Sequence, residues 1–326
     1  ASQLEGSKIF TKKLCKKYNI PTSKFEIFEN KNEAIKYLDN SKYPIVIKAD
    51  GLASGKGVYI CKSNNEAKNA VSEIFDGKFG KADCVLVEEF LNGEEMSYFI
   101  ISDGKEYKSF QTAQDHKRVG EGDTGPNTGG MGSYSPSRLS NKTLEAKINK
   151  KIIEPTLAGL KKLNTEYVGF LYVGLMISNN EPYLIEFNVR MGDPECQTIL
   201  PLLKSDLGEI ILSCCNQSLS SQKIEWLYKK SLSIVLCSDG YPGEYKKKVI
   251  IKNTDNLNLQ EGQYLIHAGT KYIDKDLYSY GGRVLNIVVT SNTFENSRKK
   301  ALEILDKINW RNGFYRKDIG YNVINT

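Results

Sequence analysis

A mixed α+β fold, closed by a β-rich α+β domain at its C-terminal end, is the class that this 326-residue chain predicts. Three observations carry that expectation. Over residues 7–90, segments with helical spacing alternate with short runs of period-two β character. Two β runs, 96–101 and 107–110, then flank Ser102-Asp103-Gly104-Lys105, and an Asp-Gly pair between such runs signals a hairpin. After a small polar stretch at 218–222, β runs restart and end on a single helix. The length exceeds one simple core and fits two or three packed subdomains.

The elements follow in order. Ile9, Phe10, Leu14 and Tyr18 have helical spacing, and Ile20-Pro21 stops the helix because a residue before proline avoids the helical region. Residues 25–28 read as a strand and 31–38 as a helix. Strands over 43–48, 58–61 and 84–90, with a helix over 65–75, complete a small α/β lobe. Residues 115–135 are rich in glycine and poor in large apolar side chains, too long a structureless stretch to be idle, so they form a candidate substrate loop. A long helix over 139–163 precedes a hydrophobic strand pair, 170–177 and 183–189. In the tail, strands are expected over 232–237, 264–268 and 284–289, and a helix over 297–308.

Composition narrows the function classes. The chain is 40% hydrophobic and 26% charged, and no apolar run reaches the roughly 18 residues that span a bilayer, so no membrane partner is expected. A net charge of +6 with scattered lysines does not imply a nucleic-acid partner. Seven cysteines show no Cys-x-x-Cys pair, and no signal-peptide pattern opens the chain; both point to a reducing cytoplasm.

The most informative stretch is Glu186-Phe187-Asn188-Val189-Arg190-Met191-Gly192-Asp193-Pro194. On a strand, side chains two apart share a face, so Glu186 and Asn188 point together while Phe187 points inward. Two hard oxygen ligands are what Mg2+ prefers when nucleotide phosphates complete its shell. Arg190 has the same parity, which sets a planar cation beside the metal, and Gly192-Asp193-Pro194 turns the chain away. An isolated Glu-x-Asn is more often a solvated strand end, and the rest of the chain reverses that reading.

The segment Lys48-Ala49-Asp50-Gly51-Leu52-Ala53-Ser54-Gly55-Lys56-Gly57 is a second candidate. It is not a P-loop, because three residues rather than four separate Gly51 from Gly55, and Gly57 leads into a β run instead of a helix. It reads as a glycine flap able to close over phosphate oxygens, with Lys48 reaching the same oxygens, and equally as a ligand-free hairpin loop. Third, Glu88-Glu89-Phe90-Leu91 leaves a sheet where its backbone can pair with an adenine edge, and Glu95 can accept from ribose hydroxyls; a solvated acidic turn is the alternative.

These residues resemble one family, the phosphoribosylamine–glycine ligases (glycinamide ribonucleotide synthetases) of purine biosynthesis, within the ATP-grasp superfamily. The resemblance runs nearly end to end, through Gln3-Leu4-Glu5-Gly6-Ser7-Lys8, the segment 47–57, Gln114-Asp115-His116-Lys117-Arg118, the segment 125–132, Glu186-Phe187-Asn188, residues 190–195, His267-Ala268-Gly269-Thr270-Lys271, Gly281-Gly282-Arg283 and Arg316-Lys317-Asp318-Ile319-Gly320.

It implies an ATP-grasp domain over 1–227, with a small nucleotide-covering lobe at about 22–92, and a C-terminal domain over 228–326. It also implies a ligation in which ATP phosphorylates glycine and 5-phosphoribosylamine attacks the glycyl phosphate. By the same resemblance Lys8, Lys48, Gly51, Ser54, Gly55, Lys56 and Gly57 contact phosphate, Glu88, Glu89, Phe90 and Leu91 hold adenine, and Glu95 holds ribose. Glu186 and Asn188 hold Mg2+ or Mn2+, Arg190 and Lys117 act in catalysis, and Asp115, His116, Asn127 and Asp193 recognise glycine and the amine. His116 reads also as a turn residue bonded to backbone. The family carries a further small α/β domain before Gln3, expected to pack on this chain and to complete the amine site. Another ATP-grasp carboxylate–amine ligase, or a nucleotide-binding module without catalysis, remain alternative readings.

Overall fold

The computed structural model describes residues 1–51, 57–80 and 82–324. Ser54, Gly55 and Lys56 of the expected flap fall outside them. By packing, the chain forms two units: Ala1–Tyr107 with Ser140–Arg190 and Cys214–Gln217, and Lys108–Leu139 with Met191–Ser213 and Ser218–Thr326.

In the first unit, helix Lys8–Tyr18 starts where the Ser7 side chain accepts from the Phe10 N–H and ends at Asn19, which takes the left-handed conformation (φ 55°) that asparagine tolerates. A four-stranded antiparallel sheet follows, ordered Phe25–Phe28, Val85–Glu89, Ile45–Ala49, Val58–Cys61. Helices Lys31–Leu38 and Asn64–Phe75 cover it, burying Ala34, Leu38, Ala67, Ala70, Val71 and Ile74 against Ile45, Ile47, Val85 and Val87. This is the expected small α/β lobe. A second four-stranded sheet is ordered Glu181–Asn188, Val168–Ser178, Glu94–Asp103, Tyr107–Ser109. The long helix expected over 139–163 runs as Lys142–Ile148, a π-helical turn Asn149–Ile153 and Glu154–Lys162. It begins three residues late because the Asn141 side chain caps it, accepting from the Leu144 N–H at 2.9 Å.

The second unit centres on a six-stranded sheet. Its order is Gln263–His267, Arg283–Ser291, Lys230–Ser238, Gly132–Ser135, Gln114–Asp115, with Gly313–Phe314 also paired to Lys230–Ser238. Helix Phe294–Leu305, capped by Thr293, packs Phe294, Ala301, Ile304 and Leu305 against Leu232, Leu285, Ile287 and Val289. A three-stranded sheet of Val249–Ile251, Asp276–Ser279 and Thr270–Ile273 has no counterpart in the sequence reading.

One expectation changes. Residues 115–135 are not structureless: Arg118–Gly120 pairs with Thr124–Asn127, while Gly132–Ser135 and Gln114–Asp115 enter the six-stranded sheet. Glycine is depleted in strands, so local propensity hides a strand that its partners Lys230–Ser238 and Gln114–Asp115 complete. The packing units interleave along the chain, and Gly132–Ser135 pairs with Lys230–Ser238 within the second. Among the described residues no helix is long and apolar enough to cross a membrane.

Candidate functional site

The first unit gathers three lysines and three carboxylates. Strand Ile45–Ala49 delivers Lys48, 6% exposed, to Glu88 on the adjacent strand at 3.0 Å, and helix Lys8–Tyr18 brings Lys12 to the same carboxylate at 3.2 Å. Ser23 Oγ donates to Glu88 Oε2 at 2.6 Å. Burial alone would push the Glu88 carboxyl up; Lys48, Lys12 and Ser23 outweigh it and hold the group below the usual carboxylate range. At the mouth of the glycine segment, Ser7 Oγ and the Ile9 N–H donate to Asp50, and Lys8 Nζ donates to Gly51 O at 2.9 Å. The helix start is thereby bolted to the strand end that opens the flap. Burial lowers the Lys8 amine, with Glu186 the foremost group opposing that shift.

Strand Glu181–Asn188 joins this cluster from the other sheet. Leu184 N–H donates to Pro21 O at 2.8 Å, and Thr22 Oγ1 donates to Leu184 O at 2.7 Å. Glu186 and Asn188 are part-exposed on one face while Phe187 is 1% exposed on the other, as the alternation requires. Gly174 lies opposite Glu186, and a Cβ there would meet Glu186 Cγ at 3.3 Å and Tyr172 at 3.2 Å, so the glycine gives the carboxylate room. Beyond the strand, Glu5 Oε2 accepts from the Val189 N–H at 2.9 Å, and Glu5 Oε1 accepts from Arg190 Nε at 3.1 Å.

Of the four hinge residues, Glu88 and Glu89 lie inside the sheet, where the Glu89 N–H donates to Lys24 O at 2.9 Å. Phe90 and Leu91 lie past its end. Glu95 is exposed near the start of strand Glu94–Asp103. Among the described residues no group of three or more His, Cys, Asp or Glu could hold a metal unaided. Glu186 with Asn188 is instead a two-oxygen donor set, which suits a hard cation whose remaining ligands come from phosphate.

In the second unit the Asp193 carboxylate meets Arg283 Nη2 at 3.1 Å and accepts from Gln197 Nε2 at 2.8 Å. Arg283 Nη1 donates also to Gly129 O at 2.8 Å and Asp193 O at 2.7 Å, joining the glycine-rich segment to the Asp193 turn. Asp115 pairs with Ser133 across the sheet, Lys117 O accepts from the Thr128 N–H at 2.7 Å, and Asn127 is exposed opposite Arg118. His116 differs from the substrate-binding expectation. It is 2% exposed, its Nε2 accepts from the Gly320 N–H at 2.9 Å, and its Nδ1 stands 3.6 Å from Asp123 Oδ1. Both ring nitrogens face protein, in keeping with the backbone-bonded alternative. His267, exposed, sits 3.1 Å from Thr270 Oγ1.

Burial pushes the Cys15 and Cys237 thiols up to about 12 and those of Cys61 and Cys196 up to about 11, so all four stay protonated at neutral pH.

The model of the phosphoribosylglycinamide synthetase ATP-grasp (A) domain matches residues 6–196, and that of the C domain of the same synthetase matches residues 231–322. The chain belongs to the phosphoribosylglycinamide synthetase family. The phosphoribosylamine–glycine ligase of Brucella melitensis is 45% identical over 325 residues, which are 99% of this chain and 76% of that protein. The crystal structure of the Thermotoga maritima phosphoribosylamine–glycine ligase shares 36% identity and a TM-score of 0.89, covering 98% of this chain and 79% of that one. The biotin carboxylase domain of the Hydrogenobacter thermophilus 2-oxoglutarate carboxylase, solved with MgADP, has 16% identity and a TM-score of 0.70 over 96% of this chain and 68% of that one. At that identity the likeness concerns the fold, which is the ATP-grasp fold.

Within this synthetase-family chain, Glu5, Lys12, Arg283 and Arg316 brace the clusters through Arg190, Glu88, Asp193 and Asp123, contacts that no local pattern in the sequence announces. Glu5, Arg283 and Arg316 lie inside the family's motifs, and Lys12 is one of the scattered lysines. The 2% exposure of Lys12 matches its place between Ile9 and Cys15 on the buried side of helix Lys8–Tyr18.

Proposed function

We infer that this chain is an ATP-dependent carbon–nitrogen ligase that joins glycine to 5-phosphoribosylamine, giving glycinamide ribonucleotide, ADP and phosphate. The observation that carries the reading is the first-unit cluster, where Lys8 and Lys48 stand with the Glu186–Asn188 donor pair. Cations and hard oxygen donors together suit transfer of a phosphoryl group, which needs alignment and charge neutralisation rather than a covalent nucleophile. A glycine carboxylate oxygen attacks the γ-phosphorus, and ADP departs. The amine nitrogen of phosphoribosylamine then attacks the carbonyl carbon of glycyl phosphate; inorganic phosphate leaves and the nitrogen gives up a proton.

Lys8 and Lys48 neutralise the triphosphate, Phe90 and Leu91 offer backbone to adenine, and Glu95 accepts from ribose. Glu186 and Asn188 hold Mg2+ or Mn2+, which when bound supplies charge to the phosphate oxygens. Arg190, oriented by Glu5, stabilises the phosphoryl group in transfer. Asp115, Lys117, Asn127 and Asp193 recognise glycine and the amine, and His116 supports them from beneath. The seven free cysteines favour a reducing compartment, and we assign the cytoplasm.

ADP release from ATP–Mg2+, measured against a panel of amino acids, tests the reading. Glycine alone should stimulate release; equal stimulation by another amino acid would replace the assigned acid substrate.

A further inference from the structure

The hairpin formed by Arg118–Gly120 and Thr124–Asn127 has little to hold it by burial. Thr124–Asn127 is exposed along its length, and within the hairpin only Val119 packs against the hydrophobic core of the second unit. Its anchors are polar and come from residues 316–321, with His116 beside Asp123 at the tip. Arg316, 1% exposed, donates through Nη1 to Arg118 O at 2.9 Å and to Asp123 Oδ1 at 2.7 Å, and through Nε and Nη2 to Asp318 at 2.8 and 2.7 Å. The Gly122 N–H donates to Asp318 Oδ2 at 2.8 Å, and the Lys317 N–H donates to Glu121 Oε1 at 3.0 Å. Tyr321 donates its hydroxyl proton to Asp123 Oδ2 at 2.9 Å. One guanidinium therefore serves a backbone carbonyl of the hairpin, a carboxylate at its tip and a carboxylate of the tail, a threefold task suited to the fixed fork of arginine.

We propose that Arg316 is a positioning residue of the ligase reaction, fixing the 118–127 hairpin so that Lys117 and Asn127 at its two ends are held ready for glycine and the amine substrate. The inference rests on the assignment of residues 115–135 to substrate recognition. Without the guanidinium, Asp123 and Asp318 keep their negative charges with no cation between them. His116, followed by Arg316 and Tyr321, holds the Asp123 carboxyl well below the usual range, so the charge persists at neutral pH. The hairpin then loses its bonds at Arg118 O and Asp123 Oδ1 and the neutralisation of its tip, and keeps the weaker contacts of Glu121, Gly122 and Tyr321.

The test is Arg316→Met, with Arg316→Lys and Tyr321→Phe beside it. Amide hydrogen exchange across 118–127 should quicken about tenfold or more in Arg316→Met, because several charge-assisted bonds are lost at once. KM for glycine should rise about tenfold while KM for ATP stays within about twofold, and Arg316→Lys should recover part of the loss. Tyr321→Phe, which removes one hydroxyl, should show a smaller rise in exchange and supplies the answer if Arg316→Met does not fold. Unchanged exchange in these variants overturns the anchor. Faster exchange with an unchanged KM for glycine overturns the positioning role by way of the substrate-loop assignment, so the two failures are distinguished.

Discussion

Replacing Glu88 by Gln probes the electrostatic frame of the phosphate cluster. The carboxylate is 4% exposed and is shared by Lys12 at 3.2 Å and Lys48 at 3.0 Å, both themselves nearly enclosed. Two cations on one anion leave a surplus of one positive charge, and the amide raises that surplus to two. Removing one partner of a buried pair costs about 3–5 kcal/mol. Burial already lowers the Lys12 amine, which eases part of this cost, so the lower figure is the one used. About 3 kcal/mol is roughly two powers of ten in the folding equilibrium and, for a unit of this size, about 6–12 °C in melting temperature. Burial already depresses the Lys12 amine, so its folded-state pKa lies below its unfolded value. The penalty is therefore full below the folded pKa and fades as pH rises toward the unfolded one. Melting followed by circular dichroism at about pH 7 and about pH 9.5 should show the deficit shrink at the higher value. Lys12→Met in the Glu88→Gln background returns the surplus to one and should recover at least about half of the lost stability. A deficit under about 1 kcal/mol, unchanged by the second substitution, would refute the claim that this carboxylate holds the lysines in place.

The remaining predictions are briefer. Glu186→Gln should lower Mg2+-dependent ADP release by about two powers of ten or more while melting moves by less than about 2 °C, since Glu186 is part-exposed and only a ligand charge is lost; unaltered Mg2+ dependence would take the metal away from this strand. Gly130→Ala should cost about 1–3 kcal/mol, measured by denaturant unfolding, because Gly130 has φ +116° and a Cβ would stand 2.5 Å from Pro194 Cδ; a neutral substitution would mean that the turn relaxes freely. Asp123, held low by His116, Arg316 and Tyr321, and Asp318, held low by Arg316 and Gly122 against burial, contribute stability that is present above their unfolded pKa and lost as pH falls through the folded one. Melting of wild type and Arg316→Met should therefore converge as pH drops below about 4, and a gap that stays constant would show that these carboxylates do not carry the effect.

Local patterns were legible because they need only neighbours along the chain. Glu186 and Asn188 share a face and Phe187 is interior by strand alternation alone, and the spacing of Phe10, Leu14 and Tyr18 with the stop at Ile20-Pro21 marks a helix without reference to any partner. The ordered motifs made the family readable for the same reason. Tertiary structure decided what depends on distant partners. Arg190 is oriented by Glu5, 185 positions away, and His116 is interior because the backbone N–H of Gly320, 204 positions away, donates to its ring. Gly132–Ser135 becomes a strand between two distant partners, Lys230–Ser238 and Gln114–Asp115, which no window around Gly132 reveals. Lys12 and Arg316 look like ordinary surface cations until Glu88, Asp123 and Asp318 enclose them. A buried charge is stable only where its counter-charges converge, and that convergence is a property of the folded chain rather than of any window in the sequence.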